Sequence, residues 1–178
     1  MDRFANARRL SARLVPVLTL VLAGLGLVML WIGGIAVFDR QELASLAAIG
    51  TGMAVGPAGP LQAVLLFILM AGQTALLVRA LWLLRQAVSR IAAGDMLGPD
   101  LAALIHESGR WFVAATLALI AAQPLASLIL SIGRTPGFLS IGVTTAHVLA
   151  LVLAGVLMLF AHLLADAADI DAENREII

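Results

Sequence analysis

Residues Leu14–Phe38 read LVPVLTLVLAGLGLVMLWIGGIAVF, 25 residues without a charged side chain. A helix rises about 1.5 Å per residue and a bilayer's hydrocarbon core is about 30 Å thick, so about 20 apolar residues span it. This stretch is long enough to do so. Three more follow: Leu61–Val78 (18 residues), Trp111–Gly133 (23) and Thr135–Ala165 (31, interrupted by Pro136-Gly137). They predict an all-α integral membrane bundle of four transmembrane helices, near residues 14–38, 61–82, 111–132 and 141–164. Arg8, Arg9 and Arg13 precede the first window, as in a secretory signal, but signal cores run only about 7–15 residues. The window is therefore read as a retained span, with Pro16 in its first turn, where a missing N–H costs little.

Composition agrees with the windows. The 178 residues are 62% hydrophobic and 12% charged, with net charge zero and mean hydropathy +1.05. Soluble domains are about 45–50% apolar and about 25% charged, so an ordinary soluble enzyme is excluded. The length suits one domain, residues 1–178. All 11 basic residues are Arg, balanced by 11 acidic ones, which argues against direct nucleic-acid binding. There is no Cys, hence no disulfide, thiol redox chemistry or thiolate metal site.

With both termini inside, Arg3, Arg8, Arg9, Arg13, Arg79, Arg85, Arg90, Arg110 and Arg175 face the cytoplasm, and only Arg40 and Arg134 face outward. The positive-inside rule counts cations in this way and favours that orientation. Trp82 and Trp111 then fall at the inner headgroup layer, and Arg79 snorkels toward it.

The outer loop begins with Asp39 and Glu42, an Asp form of the capping box, followed by a short face of Leu43, Leu46 and Ala47. It predicts a brief helix on the outer membrane surface, either a connector or a lid over an outward cavity. Gly50, Gly52, Gly56, Pro57, Gly59 and Pro60 break it. On the inner side, Arg79–Ala93 continues span two, Gly94-Asp95 turns, and Pro99 opens the next helix. The result is a cytoplasmic helical hairpin between spans two and three. Residues 165–178 form an acidic tail with Asp166, Asp169, Asp171, Glu173 and Glu176, read as either solvated or packed on the hairpin and paired with Arg85 or Arg90.

Arg85 and Arg90, Gly94-Asp95, Pro99-Asp100 and Gly109, with Glu173-Asn174 and Ile177-Ile178 at the end, resemble the small four-span bacterial membrane proteins grouped as a domain of unknown function. The chain departs from that pattern at Leu97, where Phe is usual, and at Asp100-Leu101, where Glu-Asn is usual. The resemblance implies four spans in a bacterial inner membrane. It also implies a regulatory or stress-linked setting, because some members are encoded beside small helix-turn-helix repressors.

Polar residues inside a membrane are the strongest pointers to function. Gln73 and Gln123 fall near mid-bilayer, where a Gln–Gln hydrogen bond between spans two and three, or a polar path, accounts for them. His147 lies in span four beside Thr144 and Thr145. Pro124 predicts a kink in span three. His106 and His162 both lie near the inner ends of their spans, with Asp166 at i+4 from His162. Haem ligation by opposed histidines, a zinc site of His106, His162 and Asp166, and plain packing are the readings for them. No carboxylate lies inside a span, and H-E-x-x-H, G-x-S-x-G and phosphate-loop motifs are missing, so no enzyme and no cofactor is expected. The expected function is a non-enzymatic membrane protein presenting the 79–110 hairpin and the tail to a protein partner. Arg85, Arg90, Asp95, Glu173 and Glu176 are the contact residues. The alternative is a small oligomeric permease or efflux subunit using Gln73, Gln123 and His147; a haem- or metal-binding protein is a third.

Overall fold

A computed structural model of the chain describes residues 5–49, 56–94, 99–133, 137 and 139–176; the side chains of 5, 7, 99, 168, 169 and 171–176 are outside that description. The described residues form five helices: α1 (Ala5–Phe38), α2 (Arg40–Ala48), α3 (Pro60–Ala93), α4 (Pro99–Leu130) and α5 (Thr145–Glu176). No strand occurs among them. The fold class is all-α, and four helices, α1, α3, α4 and α5, are long and apolar enough to cross a membrane.

Each helix boundary has a local cause. α1 begins at Ala5, well before the apolar window, because Arg8, Arg9 and Arg13 are sound helix formers that remain exposed. Pro16 therefore sits inside the helix rather than in its first turn. Its missing N–H leaves the Ala12 carbonyl without its usual donor, at a point where Ala12 is exposed. α3 starts on Gly59-Pro60, where Gln62 Oε1 accepts the Gly59 N–H at 2.8 Å. It stops at Gly94, whose φ of 99° a side chain would resist. α4 continues through Pro124. α5 begins at Thr145 and not at 141, since residues 141–144 are non-helical. The Thr144 N–H donates to His147 Nδ1 at 3.1 Å, so the imidazole caps the start of the helix.

The long helices pack side by side in the order α1, α3, α4, α5. Among the described residues α1 approaches neither α4 nor α5, and α3 does not approach α5. The row is therefore open, and its flanks are the barest helices. Only 6% of the α1 span and 11% of the α5 span is buried, against 28% for α4.

α2 alters one end of this row. Asp39 caps it as expected, its Oδ1 accepting the Glu42 N–H at 3.0 Å. The helix does not lie free on the surface, however. Leu43 and Ala44 are fully buried and Ala48 nearly so, packed with Ile32 and Ile35 of α1, Ala63 and Leu66 of α3, and Ala126 and Leu130 of α4. α2 is thus a wedge joining α1 to α4, which do not otherwise meet. The face it buries is rotated from the expected one: Leu46 and Ala47 are only partly covered.

Two polar side chains fix α3 against α4. Toward the end of α3 and the start of α4 Ser108, fully buried, donates to the Ala80 carbonyl at 2.9 Å. At the α2 end Gln62 Nε2 donates to the carbonyls of Ile132 at 3.1 Å and Ile129 at 3.3 Å. Below Ser108, Ala87 of α3, Leu101 and Ile105 of α4 and Ala161 of α5 form a second apolar cluster.

Candidate functional site

Polar and charged side chains collect in two places. At the α2 end of the helices a cavity of about 300 Å³ lies among α2, α3, α4 and the first turn of α5. Leu46, Ala47 and Ile49 from the α2 end border it, together with Gln73 of α3, Gln123 of α4 and His147 of α5. The three polar residues that the permease alternative groups thus border one space. The lid reading of α2 gains a geometric counterpart, since the wedge helix borders this cavity.

The expected Gln73–Gln123 hydrogen bond is not formed among the described residues. The Gln123 carboxamide is turned toward Gly142, where any Cβ would overlap Oε1. Gly142 is thereby the residue that lets the non-helical stretch before α5 lie against α4. Ser127 aids this docking: its hydroxyl accepts the Ser140 N–H at 3.1 Å and donates to the Pro124 carbonyl at 2.8 Å.

At the other end of the helices the charges are paired across α3 and α4. Arg79 lies 3.5 Å from Glu107, and Glu107 also accepts from the Trp111 indole N–H at 3.4 Å. Arg90 pairs with Asp100 at 2.9 Å. Arg85 donates from Nε to Thr19 Oγ1 of α1 at 2.8 Å, and its guanidinium lies 5.5 Å from the centroid of the Trp82 ring. The structure thus gives Arg90 and Arg85 internal partners on the α4 and α1 sides of α3. Asp95 lies outside the described residues. Glu173 and Glu176 lie on the last turns of α5, and their side chains are outside the described residues, as is any pairing with the hairpin.

His106 and His162 do come together, with ring centroids 5.3 Å apart in an edge-to-face contact at 61°. His162 Nδ1 donates to the Met158 carbonyl at 3.0 Å. The rings touch directly, which leaves no slot for a macrocycle between them. Among the described residues, no three His, Asp or Glu side chains are grouped to hold a metal ion.

Gln62, Ser108, Ser127 and Gly142 carry much of this geometry, and sequence reasoning passed over them. For Gln62 a signal existed: Gly59-Pro60-x-Gln62 has the N-cap, N1 and N3 residues of a capping box. Ser108 and Gly142 offer none beyond being small.

Four apolar helices of spanning length define a multi-pass α-helical membrane protein. No family model, no curated protein and no solved structure matches the chain.

Proposed function

We propose that the protein is a non-enzymatic membrane protein whose cytoplasmic face presents a helical hairpin, the lower parts of α3 and α4, to a protein partner, with the acidic end of α5 beside it. The observation that carries this reading is helix length. α3 has 34 residues and α4 has 32, about 50 Å each where a hydrocarbon core needs about 30 Å. The excess falls beyond Trp82 and Trp111, on the side of the α3–α4 connection. Ser108, the Arg90–Asp100 pair and the cluster of Ala87, Leu101, Ile105 and Ala161 stiffen it. Arg8 of α1 lies beside Gly94 at the end of α3, so the basic start of the chain shares that side, as the positive-inside rule requires of a cytoplasmic face. The resemblance to the small four-span bacterial family, an inner-membrane location and a regulatory or stress-linked role belong to the same proposal.

Site-specific photo-crosslinkers test it. Ser89 and Ala103 are exposed on the hairpin, and Leu153 is exposed on α5 within its apolar span. A probe at Ser89 or Ala103 should trap a discrete protein in cells and a probe at Leu153 should not. Equal trapping at all three positions, or none on the hairpin, would overturn the proposal.

A further inference from the structure

The outer cavity does not depend on the hairpin reading. We infer that it is a binding site for a small uncharged amphiphile: a molecule of one or two rings, with a single hydroxyl or carbonyl group, that partitions into the outer half of the membrane.

The lining sets the ligand class. Among the described residues no Arg, Asp or Glu borders the cavity, and most of its wall is apolar. A charged ligand would lose its hydration and find no counter-charge. The three polar groups are all uncharged and come from three different helices. His147 Nδ1 is occupied by the Thr144 N–H, so the neutral ring carries its proton on Nε2, a hydrogen-bond donor. Gln73 hydrogen-bonds to none of the described residues, so its carboxamide brings both a donor and an acceptor to the cavity wall. A carboxamide left unmatched in an apolar setting is costly. A hydroxyl or carbonyl arriving with an apolar body would match Gln73 and His147 together. The volume of about 300 Å³ is at the lower end of ligand pockets, about 300–1,000 Å³. This excludes a long-chain lipid enclosed whole and admits a small ring system. The cavity is partly open rather than sealed, so such a molecule can enter it.

Three naphthalene probes of one shape test the inference, using the full chain in nanodiscs of zwitterionic lipid, with empty nanodiscs subtracted. They are 2-naphthol, its apolar isostere 2-methylnaphthalene, and anionic 2-naphthoate, followed by equilibrium dialysis. Expected is saturable binding of one 2-naphthol, about tenfold tighter than 2-methylnaphthalene, which is the scale of one net hydrogen bond. No saturable naphthoate binding is expected. Gln73→Leu should remove most of the preference for 2-naphthol over 2-methylnaphthalene, leaving what the His147 Nε2–H provides by itself. Ala122→Phe, which fills the cavity from its wall, should remove both. Gln73→Leu adds no bulk and suits an apolar span, so it keeps the test sharp should Ala122→Phe misfold. Non-saturable uptake of 2-naphthol, equal affinity for the two neutral probes, or an unchanged naphthol affinity in Gln73→Leu would each overturn the inference, the first by showing a cavity that holds water or lipid only.

Discussion

Gln62 offers the sharpest test of how the α2 end of the protein is held. The side chain is 7% exposed and uses both ends of its carboxamide. Oε1 takes the Gly59 N–H at 2.8 Å, and Nε2 gives to the Ile132 and Ile129 carbonyls at 3.1 and 3.3 Å. Gln62→Leu keeps the volume and removes all three bonds. Ile129 O also accepts the Ile132 N–H, so the groups stranded are chiefly the Gly59 N–H and the Ile132 carbonyl. At about 1 kcal/mol per net bond, with a further penalty for buried groups left unmatched, the loss should be about 2–3 kcal/mol. Gln62→Glu separates the two ends of the amide. A carboxylate still accepts from Gly59 at the positive end of α3, yet it aims a charge at two carbonyl oxygens at the negative end of α4. Its loss at neutral pH should exceed that of Gln62→Leu. Acidification should shrink the difference, because a protonated carboxyl regains one donor while Gln62→Leu has nothing to titrate. Unfolding in mixed micelles by SDS titration, followed by near-UV circular dichroism, measures both variants. A Gln62→Leu variant within about 0.5 kcal/mol of the parent, the ordinary range for surface changes, would refute the reasoning. So would a Gln62→Glu variant that matches it at every pH.

Three further outcomes follow from other contacts. A Cβ at Gly109 would lie 2.6 Å from Met158 Cγ and 3.4 Å from the Ala154 carbonyl, so Gly109→Val should cost about 1–3 kcal/mol, and adding Met158→Ala should restore part of it in the same SDS titration. Ser108→Ala removes the bond to the Ala80 carbonyl and should cost about 0.6–2 kcal/mol, the scale of hydrogen bonds between membrane helices. Arg90 and Asp100 are 42% and 73% exposed in their side chains, so a double-mutant cycle should find less than about 1 kcal/mol of coupling, diminishing further as salt is raised.

The spans were legible because charge is excluded from hydrocarbon, and that signal is written residue by residue. The order in which they pack was not, because lipid tails are as apolar as Leu and a helix face touching lipid reads like one touching a helix. α2 shows the same limit on a smaller scale. Asp39 announced its start correctly. Its buried face could not be chosen in advance, since Ala44, Ala47 and Ala48 are small, apolar and fit either side. Ile32 and Ile35 of α1, with Ala126 and Leu130 of α4, decided the matter. Gln73, Gln123 and His147 stood out singly as polar residues inside spans, and counting residues along each helix gave their depth. Their convergence depends on the side-to-side order of the helices, which no periodicity encodes. The contact of His106 with His162 was within reach, because similar depth on consecutive spans is enough to suggest it.

The two seams of α4 are built on different principles, and this sets where the protein is most sensitive. Toward α3, α4 has Ser108, Gln62 and the pairs Arg79–Glu107 and Arg90–Asp100. These directional contacts fix the register of the two helices. Toward α5 the contacts are of another kind: close approach at Gly109, the small buried Ala154 and Ala161, and the His106–His162 ring contact. In a bilayer such close packing competes with lipid, since no hydrophobic effect drives helix onto helix. A methyl group added on the α3 side meets a register already fixed by hydrogen bonds. Added at Gly109, it meets Met158 and opens this packed approach. α5 also carries His147 at the cavity and acidic residues near its other end, so loosening of this seam would displace groups at both ends of the helix together.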